Sequence, residues 1–182
     1  MADDNTAEGT ARQRENRMMT GLFKDRESAE GAYRSLSTRG YGKDDVNLMM
    51  SDDTRKKYFT DDDSALGTKA WEDAGKGAAI GGGVGATLAA IAAIGTTLAL
   101  PGVGLLIAGP IAAALAGGGA GALTGGLIGA LVGHGIPEET AKKYDQGIRD
   151  GGIVMGVNPR NTEDADYLEN EWRNNRAESL YR

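Results

Sequence analysis

The chain has 182 residues, 29 of them glycine, with one histidine, no cysteine, a formal net charge of −6 and a pI of about 4.9. Its length admits one domain with an insertion, or two small units. The acidity argues against a nucleic-acid partner, which needs a basic face. The cysteine and histidine counts exclude disulfides, thiol catalysis and two-histidine zinc sites, and suit a reducing cytoplasm.

Residues 1–16 are polar and acidic with no apolar core, so they read as a disordered tail and not as a secretory signal. Arg17–Phe23 reads as a short buried strand. A helix follows, capped by Asp25 and stopped at Arg39–Gly40, with Ala29, Ala32, Tyr33 and Leu36 on one face. Val46–Ser51 is a second strand, and a charged connector runs on from it. A first long helix is expected over Ser64–Leu98, a turn region over "LPGVGLLIAGP", and a second helix over Pro110–Gly133, because proline suits helix starts and disrupts interiors. Pro137, Glu138 and Glu139 open another helix, which stops at Gly151–Gly152. Ile153–Val157 is a third strand. The remainder reads as a C-terminal helix docked through Leu168 and Trp172.

The fold class expected is therefore α+β: a sheet of about three strands with helices, ferredoxin-like or a reduced version, carrying a Gly/Ala-rich antiparallel helical hairpin. The divisions are a tail (1–16), the first half of the α/β domain (17–62), the hairpin (63–136) and the second half with the C-terminal helix (137–182). One domain with an insertion is more economical than two, since neither flank alone has a convincing core.

The strongest signal lies in the hairpin. From Gly77 to Gly133 there is no charged residue, nearly three times the ~20 residues a membrane-spanning helix needs. Small residues recur every fourth position: Gly77, Gly81, Gly85, Ala89 and Ala93 in the first arm, then Gly117, Gly121, Gly125, Gly129 and Gly133 in the second. In the second arm Ile111, Leu115, Leu123, Leu127 and Leu131 form another stripe two residues out of phase, about 200° away on a helix. Glycine costs about 1 kcal/mol per helical position relative to alanine, so the eight glycines of Pro110–Gly133 would cost on the order of 8 kcal/mol without a partner. Small stripes let two helix backbones approach closely and recover that cost by dispersion. The expectation is a glycine zipper between the arms, with the outward leucine face covered by another helix, a subunit or lipid. Both hairpin ends return to one side, so both charged flanks share a compartment, expected to be the cytoplasm, with the hairpin peripheral or inserted at the inner membrane from that side.

Together these residues resemble the bacterial general stress, or heat-induced stress, protein family. The likeness rests on "MMTGLFKDRESAEGAYRSLSTRGY", on the Gly/Ala hairpin with the "GIPEE" helix start, and on the final strand "IVMGV", about Arg17–Val157 in all. It implies a stress-induced, non-enzymatic bacterial protein, with no catalytic residue to carry over.

Other chemistry is sparse. "GKG" at Gly75–Gly77 lacks the spacing of a phosphate loop. "DDDSAL" at Asp61–Leu66 lacks a calcium loop's turn glycine and reads as a solvated acidic run. His134 reads as a helix-end residue bonding the last carbonyls. No catalytic, cofactor or metal residues are expected. The function expected is self-assembly of identical chains, membrane association, or both; the alternative is a soluble ligand- or protein-binding α/β module with a polar pocket near the sheet.

Overall fold

The computed structural model describes residues 18–59, 88, 92, 96–100, 103–109, 112 and 122–182. Strand β1 (Met19–Phe23) leads through α1 (Arg26–Thr38) to β2 (Val46–Ser51) and the short α2 (Asp52–Tyr58). A hairpin of β3 (Thr96–Leu100) and β4 (Val103–Ala108) follows, then α3 (Ala122–Gly133), α4 (Glu138–Arg149), β5 (Ile153–Val157), α5 (Thr162–Asn174) and β6 (Glu178–Tyr181). The chain is α+β. Its strands form one sheet in the order β3-β4-β2-β5-β1-β6, antiparallel at every pairing.

Local chemistry sets the element ends. Asp25 accepts from Ser28 N at 2.8 Å and opens α1; Gly40, at φ 74°, lets the chain turn back so that Tyr41 N reaches Leu36 O. Ser51 caps α2 through Thr54 N, and Asn161 caps α5 through Asp164 N. β5 lies between β1 and β2, with Met19 opposite Val157 and Val46 opposite the same residue on the other side. That is a split β-α-β arrangement.

Alternation along the strands then builds two cores. On one face Met19, Phe23, Val46, Leu48, Met50, Ile153, Met155 and Val157 pack under α1 and α5. Trp172 is fully buried there, edge-on to Phe23 with ring centroids 5.6 Å apart. Leu22, Met49 and Val154 face the other way, under α3 and α4. β1, β2 and β5 are buried along their whole length, as strands covered on both faces must be.

Four expectations need correction. The sheet has six strands, not about three. Thr96–Leu98, expected at the end of a helix, belong to β3, and the expected turn region supplies β4. A short apolar run has no period that separates strand from helix, and here Thr96, Thr97, Val103 and Ile107 favour the extended form. The C-terminal helix ends at Asn174; Arg176, at φ 62°, turns the chain, and Glu178–Tyr181 pair with β1. Part of the charged connector is helical, as α2. Of the rest of the first hairpin arm only Leu88 and Ala92, both helical and buried in the core under α1 and α5, are described, and of the start of the second only Ala112.

Candidate functional site

Only the end of the leucine stripe falls within the described side chains. Leu127 and Leu131 are 5% and 0% exposed, and with Ala130 they join Ile136, Ala141, Tyr144 and Ile148 in the core between α3, α4 and the sheet. The covering helix is therefore α4 of the same chain. Ile111 and Leu115 lie outside the described residues; Leu123 belongs to α3.

Of the expected small-residue interface, Gly77, Gly81, Gly85, Ala89, Ala93, Gly117 and Gly121 lie outside the described residues. Gly125 and Gly129 are in α3, and Gly133 ends it. A Cβ at Gly133 would meet nothing within 4 Å. The helix is not continuous: Gly126 has φ 57° and ψ −145°, a conformation essentially restricted to glycine. Gly109 lies in a bend at φ 99°, where a Cβ would collide with the Val46 carbonyl and Asn47 Cα. It serves a close approach to β2.

His134 sits where its helix-end reading placed it. Its Nδ1 is 3.0 Å from the Ala130 carbonyl oxygen. Beyond it Gly135, at φ 85°, turns the chain, and Ile136 N donates to Leu131 O at 3.1 Å. The "GIPEE" stretch is thus a tight joint between α3 and α4.

Two polar features escaped the sequence reading. Tyr144, fully buried on α4, places its hydroxyl 2.7 Å from the Ser179 carbonyl and 2.8 Å from Thr20 Oγ1. It donates to the carbonyl and holds β6 to the sheet. Burial pushes its phenol well above the ordinary range. On the other face of the sheet, Tyr41 donates to Asp164 Oδ2 at 2.9 Å and accepts from Arg160 N at 2.8 Å. The guanidinium of Arg160 stacks 4.2 Å from the Tyr41 ring, and Arg39 Nη1 lies 3.3 Å from Asp164 Oδ1. Desolvation raises the Tyr41 phenol; hydrogen bonding to Glu163 raises Arg39. Asp164 is only 7% exposed, so its carboxylate needs these partners. The network joins the α1–β2 and β5–α5 connections. Its members are far apart in sequence, and no local spacing announces them.

A polar cleft of about 780 Å³ opens near the end of β2, between Lys24, Ser51, Asp53, Lys57, Arg149 and Gly151. It mixes cations and carboxylates. Among the described residues no group of three or more His, Asp or Glu could hold a metal, and no helix is long and apolar enough to cross a membrane. The chain matches no protein-family model, no curated protein and no solved structure.

Proposed function

We propose that the chain is a non-enzymatic bacterial stress-response protein whose charge-free Gly/Ala segment drives self-assembly, membrane association or both. The observation that carries this reading is the recurrence of small residues at every fourth position over Gly77–Ala93 and Gly117–Gly133, out of phase with the bulky stripe Ile111–Leu131 in the second arm, in a stretch with no charge. The resemblance of Arg17–Val157 to the general stress family supports the stress role. The split β-α-β core fits the ferredoxin-like form of the α/β domain. The inward packing of Leu127 and Leu131 sharpens the proposal: the part of the stripe left to recruit a partner lies before Leu127.

Cell fractionation followed by light scattering, with and without detergent, tests the proposal. A large particle in the soluble fraction selects assembly, and a pellet released only by detergent selects the bilayer. Replacing Gly121 and Gly125 by leucine disperses either state. Unchanged size and partition in that variant overturn the zipper.

The polar cleft beside β2 favours a second reading, a soluble module that binds a small polar ligand there. It requires a monomer or dimer indifferent to detergent. Fluorescence of the two tryptophans during titration with polar metabolites would check it.

A further inference from the structure

The two edges of the sheet are unlike. β6 is short and well guarded: Ser179 has φ 49°, the register shifts between Thr20 and Leu22, and Lys24 pairs with Glu178 at 2.7 Å across it. Irregular backbone and charge are the usual means of keeping an edge from pairing with another chain. At the opposite edge, β3 has neither. Its five residues, Thr96–Leu100, are uncharged and contain no proline, and β3 pairs in unbroken register with β4, from Thr96 opposite Ile107 to Leu100 opposite Val103. Among the described residues β3 is paired on one side only.

We propose that β3 is a docking edge for β3 of a second copy of this chain, joined antiparallel about a two-fold axis at Leu98. The inference rests on the self-association proposed above, but places a contact at the sheet edge and not between glycine stripes. The backbone pattern fixes its register. Two residues separate Leu100 from Val103, so these two form the hydrogen-bonded pair that closes the turn. Pairs alternate along an antiparallel ladder, so Leu98 is also bonded to β4, while Thr97 and Ala99 direct N–H and C=O outward. Antiparallel pairing centred on Leu98 sets Thr97 of each copy against Ala99 of the other, so all four outward groups on each edge find partners. Leu98 then faces its own copy in a non-hydrogen-bonded pair, the closer kind.

Charge also favours a second copy. No charged residue lies between Gly77 and Gly133, so two chains of net charge −6 can meet here without bringing like charges together at the contact. β3 itself offers an acidic or basic peptide no charge to complement its own. Such an isologous contact closes at two chains and joins two six-stranded sheets into one.

The absence of cysteine makes the register directly testable. Leu98→Cys brings two thiols within reach of a disulfide across the axis, whereas Thr96→Cys faces Leu100 of the other copy. Under mild oxidation of the full chain, we expect at least about tenfold more covalent dimer from Leu98→Cys than from Thr96→Cys. An equimolar mixture of Thr96→Cys and Leu100→Cys is expected to yield a heterodimer. Ala99→Pro removes one outward donor and no β3–β4 bond, so it should abolish association by sedimentation while circular dichroism stays unchanged. If it unfolds, the cysteine pair decides. Equal dimer yields at positions 96 and 98 would overturn the edge contact. So would association that survives Ala99→Pro and is lost on replacing Gly121 and Gly125; that result leaves the zipper standing. A chain monomeric at every concentration, with no dimer from any cysteine variant, sinks both.

Discussion

The charged flanks and the charge-free segment obey the same physics but disclose it differently. In the flanks, α1 places Ala29, Ala32, Tyr33 and Leu36 in the core at helical spacing, with polar residues elsewhere to mark the face. In the charge-free segment nothing polar marks a face, and glycine, alanine and β-branched residues sit side by side. The same chemistry can then run as a helix in Ala122–Gly133 and as strands in Thr96–Ala108. Contrast between residues, more than hydrophobicity itself, makes a sequence legible.

The comparison can be broken at the flanks or at the segment. The largest expected effect is at Trp172, whose ring is fully buried against Phe23 and lies close to Gly21. Trp172→Ala should cost about 3–5 kcal/mol in urea unfolding. A loss under 1 kcal/mol would mean that the flanks do not share this core. Next is Leu131→Ala, expected to cost about 2–4 kcal/mol because Leu131 is wholly buried beside α4. If stability hardly changes, the end of the charge-free segment is an appendage, and the contrast between the regions becomes one of folding as well as of pattern.

A smaller effect is expected at Tyr41. Tyr41→Phe removes a bond to the buried Asp164 carboxylate and should cost about 1–2 kcal/mol; Arg39 remains as a partner. Comparable loss in the Asp164→Asn variant, with no further loss in the double variant, would show the two residues acting together. Gly126→Ala should cost about 1–2 kcal/mol, through backbone strain alone, since a Cβ there meets nothing. A neutral result would mean that the break in α3 relaxes to ordinary helix.

The smallest effect belongs to the Asp25 cap. The backbone N–H of Ser28 holds this carboxyl below its usual range. A lowered folded value means a contribution present above the ordinary carboxylate range and lost as pH falls through the folded value. Asp25→Ala should therefore cost about 1 kcal/mol at neutral pH, and the difference from wild type should vanish in acid. A penalty that persists in acid would remove the charge from the explanation.

The strands β1, β2 and β5 and the helices α1 and α4 were legible because caps, stops and periodicity agreed at each end. β6 was hidden: Asn174–Ala177 carries no glycine or proline, and only the Asn174–Asn175 pair signals the helix stop before the turn at Arg176. The β3–β4 hairpin was hidden by its uniform apolarity. Of the candidate site, the helix-end role of His134 could be read from its neighbours, and the need of the leucines for cover from their phase. That α4 supplies the cover of Leu127 and Leu131 could not, because it depends on the turn at Gly135 and on which face of the sheet the chain rejoins.

That return has a mechanical side. Met50 stands opposite Ile153, so the whole excursion from Asp52 to Gly152 leaves and re-enters at the same end of the β2–β5 ladder. Its hydrogen bonds run across the strands. Within the excursion β4 also pairs with β2, from Leu48 opposite Ala108 to Ser51 opposite Leu105, so β2 is held by a ladder on each side. Tension carried into the excursion, from lipid or from a neighbouring chain, would be shared between both ladders and the core under α3 and α4 before β2 and β5 could part.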